Sequence, residues 1–98
     1  MRDELLKQAR RVVIKIGSSL VASRESGLST ERIERLATEI AQVRAQGREV
    51  LVVSSGAVVS GIKKLELREY PKSLPVKQAA AAVGQSLLMW AYEKAFER

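Results

Sequence analysis

Residues 12–20 read VVIKIGSSL, and this stretch decides the fold. Apart from its basic residues, the run RVVIKI over 11–16 is entirely β-branched, which suits a strand. A continuous apolar run of this length fits a mostly buried parallel strand. Gly17, Ser18 and Ser19 then break the run, and with Ser23, Ser26 and Gly27 they mark 17–27 as a loop or short excursion. Lys15 therefore stands near the end of an apolar strand, before a glycine and two serines. In the Walker loop, G-x-x-x-x-G-K-[ST], the lysine follows the second glycine, so this is a different design. Gly17 permits close backbone approach to a ligand, and exposed N–H groups in such a turn make an anion-binding nest. Lys15 would add a compact positive charge aimed at the same anion. The competing reading is a structural lysine that reaches from a strand end to solvent.

The residues that follow extend this strand into a repeating α/β pattern. Ser29 has the character of an N-cap, and Leu28 with Ile33 has the spacing of a hydrophobic staple. Ile33, Leu36, Ala37, Ile40 and Val43 recur at helical spacing, and Gly47 is placed to end that helix as a left-handed C′ residue. EVLVV at 49–53 is a second short apolar strand, followed at once by SSGA. Strand, helix and strand in this order form a βαβ unit, right-handed with parallel strands. A shorter helix is expected from near Gly56 to about Lys64. Pro71 and Pro75 bracket a loop, with Pro75 suited to the first turn of a third helix. Val76, Ala80, Val83, Leu87 and Trp90 supply that helix's expected apolar stripe. Gly84 lies inside it at a cost of about 1 kcal/mol relative to alanine. Either a close backbone neighbour or simple tolerance accounts for that glycine. Two parallel strands make an incomplete sheet, so 1–98 reads as the opening portion of a larger α/β domain.

Composition narrows the chemistry. The 98 residues contain no cysteine and no histidine, which removes disulfides, thiolate chemistry and any Ser-His or Cys-His nucleophile pair. The N-terminus MRDELLKQARR is charged and carries no apolar signal-peptide core. The uncharged segments 50–62 and 78–92 both fall short of the roughly 18 apolar residues that read as a membrane span. The reading is a soluble, cytoplasmic chain with no membrane partner. Net charge is +6, yet seventeen Lys and Arg are dispersed among eleven acids. With no run of three basic residues and only 4% aromatics, a nucleic-acid partner is not expected.

In open α/β sheets, ligands bind beyond the carboxyl ends of the strands. KIGSS leaves the first strand and SSGA leaves the second, and adjacent parallel strands would bring these loops together. SSGA opens a helix, where unpaired N–H groups and the dipole favour a carboxylate or phosphate. An ordinary turn with an N-cap serine is the plainer reading of SSGA alone. A nucleophilic role for Ser55 is not expected, because G-x-S-x-G and a histidine base are both lacking. Two facing anion sites suggest two anionic ligands, such as a nucleotide and an acidic acceptor.

VVIKIGSSLV, VLVVSSGAVVSG and KQAAAAVGQSLLM, in this order, resemble the amino-acid kinase family, over about Arg11 to beyond Trp90. The lysine–glycine–serine loop is shared across that family. SSGA and KQAAAAVGQ resemble the members that phosphorylate L-glutamate. The resemblance implies a three-layer α/β/α fold, incomplete in this chain, and transfer of the ATP γ-phosphoryl group to the glutamate side-chain carboxylate. Glutamate 5-phosphate, the entry to proline biosynthesis, would be the product. By resemblance Lys15 is the catalytic, ATP-contacting lysine, and Gly17, Ser18 and Ser19 lie against the phosphates. Ser55, Gly56 and Ala57 match the glutamate-binding turn. ATP and Mg²⁺ are the implied cofactors, the metal held mainly through the nucleotide and not by protein side chains. Transfer of this kind needs mainly positioning and electrostatics.

The resemblance also implies what lies elsewhere. The rest of the family's glutamate site, its nucleotide-binding half and a second lysine would follow Arg98, as would any C-terminal PUA domain. The 98-residue chain is therefore expected to be inactive or nearly so alone, and to be homo-oligomeric at full length. Other readings stay open: another amino-acid kinase with a different acceptor, a basic α/β module binding nucleic acid or protein, or a non-catalytic piece whose sheet edge pairs with another chain.

Overall fold

The computed structural model describes residues 8–97. The charged stretch at 1–7 and Arg98 lie outside the described residues. In chain order the elements are β1 (Arg11–Ile16), α1 (Ser18–Val21), β2 (Ala22–Ser23), β3 (Gly27–Leu28), α2 (Thr30–Ala45), β4 (Glu49–Ser54), α3 (Ala57–Lys64) and α4 (Leu74–Phe96). β1 and β4 pair in parallel, with Val13 beside Leu51, Lys15 beside Val53 and Ile16 beside Ser54. The expected βαβ unit and mixed α/β class are thus present. The excursion after β1 is more ordered than a loop: α1 leads into a small antiparallel pair of β2 with β3.

Each helix has local causes in the sequence. The Ser29 hydroxyl accepts the Arg32 N–H at 3.3 Å, which caps α2 as its sequence predicts. Gly47 takes φ 82° after α2, and its N–H donates to the Arg44 carbonyl at 3.0 Å. α3 ends differently. Glu66 occupies the left-handed region at φ 58°, its N–H donating to the Lys63 carbonyl at 3.2 Å and that of Leu67 to the Ile62 carbonyl at 3.0 Å. This is the Schellman arrangement with glutamate where glycine is favoured.

One face of the sheet is covered and one is not. Ile14, Val50 and Val52 pack against a core of Ile16, Val21, Ile33, Ala37, Ile40, Leu88, Ala91 and Tyr92, so α2 and α4 cover the same side. On the opposite side Val13 is 65% exposed and Leu51 62%. The run VVIKI therefore belongs to a half-covered strand and not to the mostly buried one expected. A continuous apolar run suits a parallel strand covered on both faces, and the described residues supply only one covering layer.

The inner stripe of α4 also differs from expectation. Buried positions are Ala80, Gly84, Leu88, Ala91, Tyr92 and Ala95, while Trp90 is 57% and Val76 41% exposed. Of the expected stripe only Ala80 is fully buried. The helix is apolar nearly all round, so hydrophobic spacing alone does not select its inner face. Backbone proximity does. A Cβ on Gly84 would stand 1.5 Å from the Ala57 carbonyl oxygen, and one on Gly61 would stand 1.8 Å from that of Ala80. α3 and α4 cross in direct backbone contact, which settles Gly84 as a close-approach glycine.

Two outcomes follow from these contacts. Alanine in place of glycine normally favours a helix, but Gly84→Ala should destabilise the fold by about 2–3 kcal/mol through overpacking. Urea unfolding followed by circular dichroism reads the sign directly. Glu66→Gly should stabilise by about 0.5–1 kcal/mol by relieving a left-handed non-glycine residue. A higher urea midpoint at unchanged slope would show it.

Candidate functional site

The two loops singled out by sequence meet at the carboxyl ends of β1 and β4. The Ser55 N–H donates to the Ile16 carbonyl at 2.9 Å, fastening the exit of β4 to the end of β1. Gly56 follows with φ 115° and ψ 0°. A Cβ there would lie 3.1 Å from Val21 Cγ2 and 3.8 Å from the Ser18 Cα. Both the backbone angle and the nearness of α1 call for glycine. The Gly56 carbonyl accepts the Ser60 N–H at 2.9 Å and the Ser60 hydroxyl at 2.7 Å, which starts α3. The N–H groups of Ala57, Val58 and Val59 precede the first intrahelical bond and stand at the positive end of the helix dipole.

A cleft of about 300 Å³ lies here, lined by Ser18, Ser55, Gly56, Ala57, Val58, Val59 and Tyr70. The structure thus brings one residue of the first loop together with the whole Ser55–Ala57 turn. Ser54 is separate from this group. Its hydroxyl is 2.8 Å from that of Tyr92, under the covered face of the sheet. The other residues named from sequence fall around the cleft and not in its lining. Lys15 is exposed on the uncovered sheet face, level with Val53 and one residue before the end of β1. Gly17 is exposed, with φ −71° and nothing within 4 Å of where a Cβ would be, so the space beside it is open. Ser19 lines a separate cleft of about 370 Å³ with Ser23, Ser26 and Ser29, and its carbonyl accepts from Arg32 Nη1 at 3.3 Å.

Sequence reasoning missed Tyr70. The pair Tyr70–Pro71 before a helix reads only as loop. Nothing in its spacing shows that the segment after α3 returns to the start of that helix.

The donor set suits an anion. The cleft offers serine hydroxyls and helix-start N–H groups, and no acidic side chain lines it. Among the described residues no three acidic side chains gather where they could hold a metal ion. The exposed Gly17 has open space beside it, enough to admit a phosphate group.

The parallel β1–β4 pair with helices packed on it is an α/β arrangement, and the chain belongs to the amino acid kinase family, whose model matches residues 10–98. Within that family the chain is similar to glutamate 5-kinases. It is 55% identical to the "Glutamate 5-kinase" of Geobacter metallireducens over 98 residues, covering 100% of this chain and 26% of the relative. Against that of Clostridium acetobutylicum it is 48% identical over 95 residues, covering 97% and 36%. Against that of Moorella thermoacetica it is 52% identical over 91 residues, covering 93% and 24%. The chain thus spans about a quarter to a third of the length of these relatives. No helix among the described residues is long and apolar enough to cross a membrane.

Gly56 holds the two loops together, which makes it a direct test of the site's construction. Gly56→Ala adds both left-handed strain and a methyl group against Val21, and should cost about 1–3 kcal/mol. Amide shift changes in a ¹⁵N spectrum should concentrate at 17–22 and 55–60. Changes spread evenly over the chain would contradict the coupling.

Proposed function

We propose that residues 1–98 form the N-terminal part of an amino-acid kinase domain that phosphorylates the side-chain carboxylate of L-glutamate. The observation that carries this reading is the meeting of the Ser18 loop with the Ser55–Ala57 turn at the ends of two parallel strands. The relatives' name, glutamate 5-kinase, supplies the substrate.

A carboxylate oxygen of glutamate attacks the γ-phosphorus of ATP, the bond to the bridging oxygen breaks, and ADP leaves with that electron pair. Glutamate 5-phosphate results, the first intermediate towards proline. In this reading the N–H groups at the start of α3, with the Ser55 hydroxyl, orient the acceptor. Gly17, Ser18 and Ser19 lie along the phosphates, and Lys15 is the catalytic residue that balances charge on the phosphoryl group in transfer. Mg²⁺ accompanies the nucleotide and offsets phosphate charge. No nucleophile or imidazole is needed, which agrees with a chain lacking cysteine and histidine. The rest of the kinase domain, any PUA domain, and the contacts that make a cytoplasmic homo-oligomer belong to the longer protein in this proposal. The 98-residue chain alone is inactive or nearly so.

Trapping the acyl phosphate with hydroxylamine tests this. Mg-ATP, glutamate and hydroxylamine should yield hydroxamate with a chain extended to the length of its relatives, and none above the glutamate-free blank with residues 1–98. Lys15→Ala in the extended chain should lower kcat by about 10²–10³-fold, the scale for losing one preorganised electrostatic contact. Absence of glutamate-dependent hydroxamate from the extended chain overturns the proposal. A full signal from residues 1–98 overturns the claim that they are inactive alone.

A further inference from the structure

We infer that Tyr70 is a specificity-determining residue of the acceptor site, a fixed aromatic wall that selects the length of a short acidic ligand. The inference rests on the proposed reading of Ser55–Ala57 as the acceptor turn, and it goes beyond that reading in assigning a role to the segment between α3 and α4.

Tyr70 is the one aromatic side chain lining the cleft, and it arrives from a different part of the chain than the residues around it. At 42% exposure, much of its surface remains free to meet a ligand. Its place is set by the turn that ends α3 and by a contact with α4. On the α3 side, the chain reverses at Glu66 through the two hydrogen bonds that close that helix. On the α4 side, the Lys77 ammonium lies 5.7 Å from the centroid of the Tyr70 ring, a distance at which the ring's negative face attracts a cation. Lys77 is itself in the first turn of α4, where its N–H donates to the Ser73 carbonyl at 3.1 Å. The loop that carries Tyr70 thus leaves a closed helix end, and the ring itself lies against the first turn of α4.

The lining divides by chemistry. Ser55 and the first N–H groups of α3 offer hydrogen bonds to a carboxylate. Val58, Val59 and the Tyr70 ring offer apolar surface and no charge. A ligand that satisfies both carries a carboxylate on a short methylene stem, with the stem against the ring. A rigid wall distinguishes such stems by length, because one methylene too many or too few is worth about 10–200-fold in a pocket that does not yield.

The experiment is a ¹⁵N-detected titration of the chain extended to the length of its relatives with L-aspartate, L-glutamate and L-2-aminoadipate, which differ by one methylene each. Expected is saturable movement of the Ser55–Val59 amides and the Tyr70 ring resonances, with glutamate preferred over both homologues by about tenfold. Tyr70→Ala should narrow that preference to less than about threefold, while Tyr70→Phe keeps it, because the ring and not the hydroxyl forms the wall. Tyr70 lies outside the core, and unchanged shifts in β1 and β4 verify that the variants fold. Selective binding at the turn that is the same in Tyr70→Ala overturns the role of Tyr70 and leaves the acceptor reading standing. Saturable binding at the turn that ranks the three ligands equally in the unaltered chain overturns it too. No movement of the turn with any of the three ligands overturns both.

Discussion

The structure depends on the crossing of α3 and α4 at backbone contact. Gly61 lets the Ala80 carbonyl approach, and Gly84 does the same for that of Ala57. The second contact reaches the site, because Ala57 is the first residue of α3 and belongs to the turn after β4. α4 in turn is anchored to the sheet by Leu88, Ala91 and Tyr92 in the common core. A glycine in the middle of a long helix therefore fixes where the N–H groups at the start of a short one point. Van der Waals exclusion decides this arrangement, since any side chain at 61 or 84 would force the helix axes apart. The direction of the turn after β4 is thus set in part by packing against α4.

Gly56 adds a second constraint of another kind. Its left-handed backbone turns the chain sharply from β4 into α3, and its missing side chain admits α1. One residue consequently serves both strand ends. The Ser55 bond to Ile16 completes the joint by extending the β1–β4 ladder one step into the loops. Loops that follow adjacent parallel strands are neighbours by topology. Here the Ser55 bond and the approach of α1 to Gly56, at consecutive residues, make them a single surface.

How much of this was legible in the sequence follows from the range of each signal. β1, α2 and β4 were readable because apolar period, the Ser29 cap and Gly47 are local features, and local features carry their own physics. The meeting of the loops was readable too, since parallel pairing dictates it. The inner face of α4 was not. Ala79, Ala80, Ala81 and Ala82 are nearly equivalent in hydrophobicity, and the choice among them was made by the close approach of Gly61 on α3 to the Ala80 backbone, which no spacing rule encodes. The coverage of β1 was misjudged for a related reason. A run such as VVIKI states that both faces tolerate apolar surroundings, but not which residues provide the second layer. Tyr70 was invisible because its role depends on where the chain after α3 turns, and that turn is made by a glutamate in a conformation normally reserved for glycine.

The placement of Lys15 bears on the proposed chemistry in a way the sequence did not suggest. Strand alternation sends Ile16 into the core and leaves Lys15 on the uncovered face with Val13, Leu51 and Val53. The lysine is therefore not in the lining of the cleft that contains Ser55 and Tyr70, although one residue separates it from the strand end to which Ser55 is bonded. For a phosphoryl group moving between two anions, such an offset has a physical merit. A cation inside the acceptor site would pair with the acceptor carboxylate in the ground state and stabilise it as much as the transition state. Binding both equally lowers KM without raising kcat. A cation held beside the site, within reach of the phosphoryl group, acts most strongly where charge is redistributed between donor and acceptor. Under the proposed function, the lysine would precede its glycine because the strand's alternation turns it away from the acceptor turn, and the open space beside Gly17 would admit a phosphate.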